Sequence, residues 1–217
     1  MRKLFLVGAL ALLTAACASQ TPQTTAGIAD RNVMRPGPDS STLVFRAPNI
    51  DVRKYRGLYI EPVIIYAGAD ADFDGATSEE KQEIADIIYL EFTKALEKKY
   101  HFVAKPGPNN VIIRLTLAGI TKTRPLLSAA VRLSPVGAGI TILKSIAGKP
   151  ATFTGSVVIG GELIDANNGQ ALGGFISKES PAAFDITSAL GTLEAARLGA
   201  RKGATDFAAA LDRLTGR

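Results

Sequence analysis

The sequence predicts an α+β domain, a largely antiparallel sheet with two main helices packed on it, preceded by a signal segment and a flexible tether. Three observations carry that expectation. Val111 to Ile120 and Thr152 to Asp165 alternate apolar and polar residues at period two. Thr77 to Tyr100 and Thr187 to Leu214 repeat apolar residues at helical period. A short apolar run closed by small residues and one cysteine opens the chain.

Met1, Arg2 and Lys3 give a positive start, and Leu4 to Leu13 an apolar stretch of ten residues. That is too short to cross a hydrocarbon core about 30 Å thick, so it reads as a secretory signal and not a permanent span. Leu13-Thr14-Ala15-Ala16-Cys17 resembles the lipobox of bacterial lipoproteins, although the usual leucine three before the cysteine is here Thr14. The resemblance implies a signal peptide over 1–16 and lipidation of Cys17. The alternative is an ordinary secreted chain cut after Ala16. Two or three acyl chains on one residue hold a protein at a bilayer almost permanently. Ala18, in place of an aspartate, implies by the enteric sorting rule an outer-membrane address facing the periplasm.

Residues 17–45, the lipidated cysteine and a Ser, Thr, Gln, Pro and Gly-rich run, read as a tether, within which Leu43 to Phe45 is a run able to add an edge strand. The folded domain is expected over 46–217. Leu58 to Tyr66 is a β-rich run whose Pro62 cannot donate to a ladder, so it belongs at an edge or a bulge. Thr77 and Glu80 have the spacing of a capping box, and Ile84, Ile88, Phe92, Ala95 and Leu96 form one apolar stripe behind it. His101 to Lys105 reads as a short strand, closed by the Pro106 to Asn110 turn. Ala166-Asn167-Asn168-Gly169 then joins two strands as a hairpin. The last helix carries Leu193, Ala196, Ala200, Ala204, Phe207, Leu211 and Leu214 on one stripe.

The chain's 217 residues, 47% of them hydrophobic, fit one globular domain and exclude the disordered and disulfide-rich classes. Its 25 basic residues less Arg2 and Lys3, against 20 acidic ones, leave +3, too little for a nucleic-acid partner. One cysteine forms no internal disulfide, and one histidine, His101, excludes any site needing two imidazoles. No cofactor is expected.

Cys17, the run Tyr55-Arg56-Gly57-Leu58-Tyr59-Ile60-Glu61-Pro62-Val63, the acidic helix after it, and Glu162-Leu163-Ile164-Asp165 leading into Asn168-Gly169 resemble the bacterial lipoprotein family DUF3313. The resemblance spans most of residues 45–214 and implies an envelope lipoprotein. It brings no activity and no functional residues with it.

Candidate sites are few. Asp70, Asp72 and Asp74, followed by Gly75, copy the opening of a calcium loop, but Lys81 stands where its bidentate glutamate belongs. An acidic loop leading into a helix is the expected reading. Leu126 to Ala147 is a long apolar segment that fails as a span because Arg132, Pro135 and Lys144 interrupt it. It reads as core cover, with membrane surface or partner interface as alternatives. No nucleophile elbow, phosphate loop or zinc helix is present, so no catalytic residue is assigned. Glu61 and Glu162 are the carboxylates to consider for acid and base work on a glycan, and exposed strand residues are the expected reading of both. Arg197, Arg201 and Lys202 sit on adjacent turns of the last helix, able to meet anionic lipid or peptidoglycan, with solvation as the default.

The sequence therefore predicts an outer-membrane lipoprotein whose periplasmic domain is a binding or accessory module and not an enzyme. A self-assembling envelope subunit, touching membrane or partner through residues 126–148, comes second. A glycan-acting enzyme comes third. The expected partners are the membrane, through Cys17, and an envelope protein or a second copy.

Overall fold

A computed structural model of the chain describes residues 21–28, 31–123, 155–181 and 191–216. The signal peptide, Cys17 and the apolar segment 126–148 lie outside the described residues. The strands are β1 (Arg35–Pro36), β2 (Thr42–Arg46), β3 (Gly57–Ile60), β4 (Ile64–Ile65), β5 (Asn110–Thr121), β6 (Ser156–Asp165) and β7 (Ala171–Glu179), and the helices are α1 (Ser78–Leu96) and α2 (Glu194–Thr215). One sheet runs β1-β2-β7-β6-β5-β3, with β4 also on β5. The β1, β2, β7, β6 and β5 pairings are antiparallel; β3 and β4 both run parallel to β5. The α+β architecture is the one the sequence predicts.

Local chemistry sets the element ends. Thr77 Oγ1 accepts from the Glu80 backbone N–H at 3.2 Å while the Glu80 carboxylate accepts from the Thr77 N–H at 2.7 Å, the reciprocal capping box read in the sequence. Pro62 splits the run of residues 58–66 into β3 and β4, because a residue without an N–H interrupts the ladder. The pairing with β5 resumes at Ile64 and Ile65, opposite Thr116 and Leu117, and the Tyr66 N–H meets the Leu117 carbonyl at 2.9 Å. The β6–β7 hairpin turns through Gly169 at φ +74°, a left-handed conformation that favours glycine.

The two faces of the sheet have different covers. On the front face Val111, Ile113, Leu115 and Leu117 of β5 and Val157 and Ile159 of β6 pack beneath α1 and α2 with Ile84, Ile88, Phe92 and Leu96. Each fully buried aliphatic or aromatic side chain contributes about 1.5–3 kcal/mol. Small residues bring α2 down onto the strands: a Cβ on Gly199 would lie 2.9 Å from a Val157 methyl and 3.0 Å from the Glu179 carbonyl.

On the back face a second cluster joins Ala26 and Met34 to Ala118 and Ile176. Gly160 permits this approach, since a Cβ there would stand 2.7 Å from that of Ala26. The folded unit thus begins well before residue 46. The expected tether over 17–45 is corrected for the part that carries β1, β2 and this cover, because Ala26, Met34, Leu43 and Phe45 pack against the back face. The expected strand at His101 to Lys105 is reduced to a single bridge between Leu58 and Phe102. No helix among the described residues is long and apolar enough to cross a membrane.

Candidate functional site

The carboxylates singled out from the sequence are brought together, but around an arginine. Arg114 on β5 pairs across the sheet with Glu162 of β6. Arg114 also grips Glu61 through both guanidinium arms, Nε to Oε2 at 2.8 Å and Nη2 to Oε1 at 3.4 Å. Burial pushes the Glu162 carboxyl above its usual range, against the pull of Arg114. All three lie on the back face, away from the helices.

The acidic loop is also spoken for. Asp70 accepts from the Thr25 N–H at 2.6 Å and the Tyr66 hydroxyl at 2.7 Å, which hold its carboxyl well below the usual range. Asp72 accepts from the Asp74 N–H at 3.1 Å, and Asp74 from the Lys122 N–H at 2.9 Å. The three carboxylates serve separate backbone partners, and among the described residues no three acidic, His or Cys side chains gather as a metal site would require. Asp70 instead fastens the N-terminal segment to the loop.

The basic set on the last helix is internal structure. Arg197 pairs with Glu83 of α1 and, at 3.1 Å, with Glu194; Arg201 lies 3.4 Å from Glu91 of α1. Lys202 bridges Glu179 at 2.8 Å and Asp206 at 2.6 Å. The two carboxylates raise the Lys202 pKa despite burial. Those pairs answer the charges that the sequence left open to lipid or peptidoglycan.

The open space lies elsewhere, on the front face where α2 stops short of β2. A cavity of about 800 Å³ runs between β2, β7 and the second half of α2, walled on its third side by residues 52–58. Val44 and Phe175 belong to its floor, Phe207, Ala210 and Leu214 to its roof, and Leu172 lines the hairpin end. Gly173 stands opposite Arg46 and Leu163, so the floor lacks a side chain there. Leu214 remains 37% exposed. From Thr42 to Arg46 the floor is about 13 Å long by the rise of a strand, and Gly203 to Thr215 gives about 18 Å by the rise of a helix. The space is a slot.

Its ends differ in charge. At one end Glu179 and Asp206 are answered by Lys202. At the hairpin end Arg46, Arg53, Arg56 and Arg213 all line the mouth and are exposed. Arg53 reaches Asp51 at 3.6 Å, whereas Arg46, Arg56 and Arg213 have no acidic partner among the described residues. The wall beside them is pinned by Asp165, buried to 4% side-chain exposure, which accepts from Lys54 Nζ at 2.9 Å and Tyr55 Oη at 2.8 Å. Chemically, this arrangement can hold an elongated apolar group and an anion next to it. Sequence reading missed it; the signal available was the run of small residues at Gly173, Gly174, Ala209 and Ala210 facing scattered arginines.

Two solved structures resemble the chain at low level, a PelC dodecamer from Paraburkholderia phytofirmans with a TM-score of 0.38 and a point variant of it with 0.39. Each is 10% identical and covers 76% of this chain and 94% of its own. No curated protein matches the chain. The family model described as a protein of unknown function, DUF3313, matches residues 24–207, and that span takes in every described element from the N-terminal cover through most of α2. The chain therefore belongs to the DUF3313 family.

Proposed function

We propose that the chain is an outer-membrane lipoprotein, anchored through lipid on Cys17, whose periplasm-facing domain is a non-catalytic binding module. The anchor rests on the lipobox-like Leu13 to Cys17 run and on Ala18 after it. The binding reading rests on one observation, the slot of about 800 Å³ beside α2. That volume falls within the range of about 300–1,000 Å³ that small-molecule sites occupy. Against catalysis, the two carboxylates nominated for acid and base work flank Arg114 on the opposite face of the sheet, away from the slot.

Two experiments test the two halves. Radiolabelled palmitate should enter the native chain and not the Cys17→Ala variant, which should leave the membrane fraction; labelling that persists in the variant would overturn the anchor. An environment-sensitive apolar dye should brighten on binding the native chain, with the gain abolished by Ala210→Phe, which fills the roof. A dye response untouched by that substitution would overturn the binding reading.

A further inference from the structure

The arginines at one mouth of the slot that have no acidic partner among the described residues, Arg46, Arg56 and Arg213, identify the class of ligand. We infer that the slot takes a single acyl chain ending in an anionic carboxylate or phosphate head, the chain along β2 and α2 and the head on Arg46, Arg56 and Arg213. This rests on the binding reading above and deepens it.

The slot is lined by Val44, Leu172, Phe175, Phe207, Ala210 and Leu214, and its walls run about 13 Å along β2 and about 18 Å along α2, room for an extended chain. Leaving such side chains half-open to water costs free energy that an apolar occupant recovers. Every cation along the rest of α2 has an acidic partner, so the fold supplies counter-charges where a cation is structural. At the mouth, among the described residues, it supplies one for Arg53 alone. The negative C-terminal end of the α2 dipole offsets part of the charge on Arg213, in its last turn. Arg46 ends a strand and Arg56 follows a 3-10 helix of one turn, Val52–Lys54, too short to supply that compensation.

Like charges gathered at one mouth raise the local positive potential and draw an anion to it. Guanidinium groups present paired donors that match carboxylate and phosphate oxygens. The opposite end of the slot, with Glu179 and Asp206 around Lys202, disfavours an anion there and gives the ligand a direction. Charge and shape therefore point to the same amphiphile, entering tail first with its head left at the hairpin end.

The test uses the absence of tryptophan from the chain. Leu214→Trp in the full chain, with Cys17→Ala so that no covalent acyl group competes, places one fluorophore at the mouth. Palmitate, lysophosphatidate and neutral palmityl alcohol are titrated against its emission. Both acids should bind about tenfold or more tightly than the alcohol, a preference of the size that charge-assisted hydrogen bonds give. The stronger of the two names the head. Adding Arg46→Gln and Arg56→Gln should erase the preference without moving the melting temperature, and raising salt to about 1 M should erode it. Equal binding of acid and alcohol would overturn the headgroup assignment while the binding module stood. Failure of all three to bind, in a chain that folds and melts normally, would overturn both.

Discussion

The same helix passes two regions that treat cations in opposite ways. Along the seam with α1, Arg197 and Arg201 cross to Glu83 and Glu91, and Lys99 crosses back to Asp212 at 2.7 Å. At the slot mouth, Arg213 shares α2 with those residues but lines one cavity with Arg46, Arg53 and Arg56. A cation with its counter-charge built in is part of the scaffold. One grouped with its own kind on the rim of an apolar slot is available to something outside the fold. The contrast can be broken or sharpened by substitution, beginning where the scaffold is densest.

The largest effect is expected beneath both regions. Phe92 is fully buried, 5.5 Å centroid to centroid from Phe207 and 6.3 Å from Phe175, the two rings that back the slot. Phe92→Ala should cost about 3–5 kcal/mol, read as a fall in the denaturant midpoint. A cost under about 1 kcal/mol would mean the core collapses around the gap and that the slot is as deformable as the solvent-facing side of α2.

Next comes Glu179, whose side chain is 4% exposed and which holds Lys202 at the acidic end of the slot. Glu179→Ala should cost about 2 kcal/mol, less than the loss of a fully buried pair because Lys202 keeps Asp206 and reaches water. Thermal unfolding of the variant measures it. An unchanged melting temperature would place this end of the slot with the unpaired mouth.

Asp165 gives the comparison a pH axis. The Lys54 hydrogen bond, with those from Asn167 and Tyr55, holds its carboxyl below the ordinary value despite burial. A depressed native pKa contributes stability that is present above the unfolded value near 3.9 and is lost as pH falls through the lower native value. Asp165→Asn should therefore lower stability at neutral pH, and its curve should converge with that of the native chain in acid. Parallel curves down to about pH 2 would show that the wall of the slot does not depend on this charge.

Much of the scaffold was legible because it is written locally. The capping box at Thr77 and Glu80, the break at Pro62 and the hairpin at Asn168-Gly169 each depend on a few neighbouring residues. The parallel pairing of β3 with β5 was not legible, since it depends on where α1 carries the chain. Nor was the back-face cover by residues 24–34: a polar segment with isolated Ala26 and Met34 looks like a tether until a glycine on a distant strand makes room for it. The candidate site was hardest of all. Arg201 and Arg213 are both solvent-exposed arginines on one helix, and only the placing of Glu91 beside Arg201 and of Arg46 on the cavity that Arg213 lines separates a structural cation from one without an acidic partner among the described residues.

That pair of arginines supplies the smallest stability effects and the sharpest discrimination. Arg201→Gln removes a surface ion pair with Glu91 and should cost about 0.2–1 kcal/mol. Arg213→Gln removes no partner among the described residues and thins a cluster of like charge, so the change should lie within about 0.5 kcal/mol and tend toward stabilisation. Paired melts in low salt, where exposed charges are least screened, resolve the two. Acyl ligand affinity should reverse the order, unaffected by Arg201→Gln and weakened by Arg213→Gln. A residue whose removal leaves folding intact and binding impaired is one the fold holds for a ligand. If Arg213→Gln instead destabilised the chain as much as Arg201→Gln, the mouth would be one more internal electrostatic contact, and the distinction between the two regions would fail.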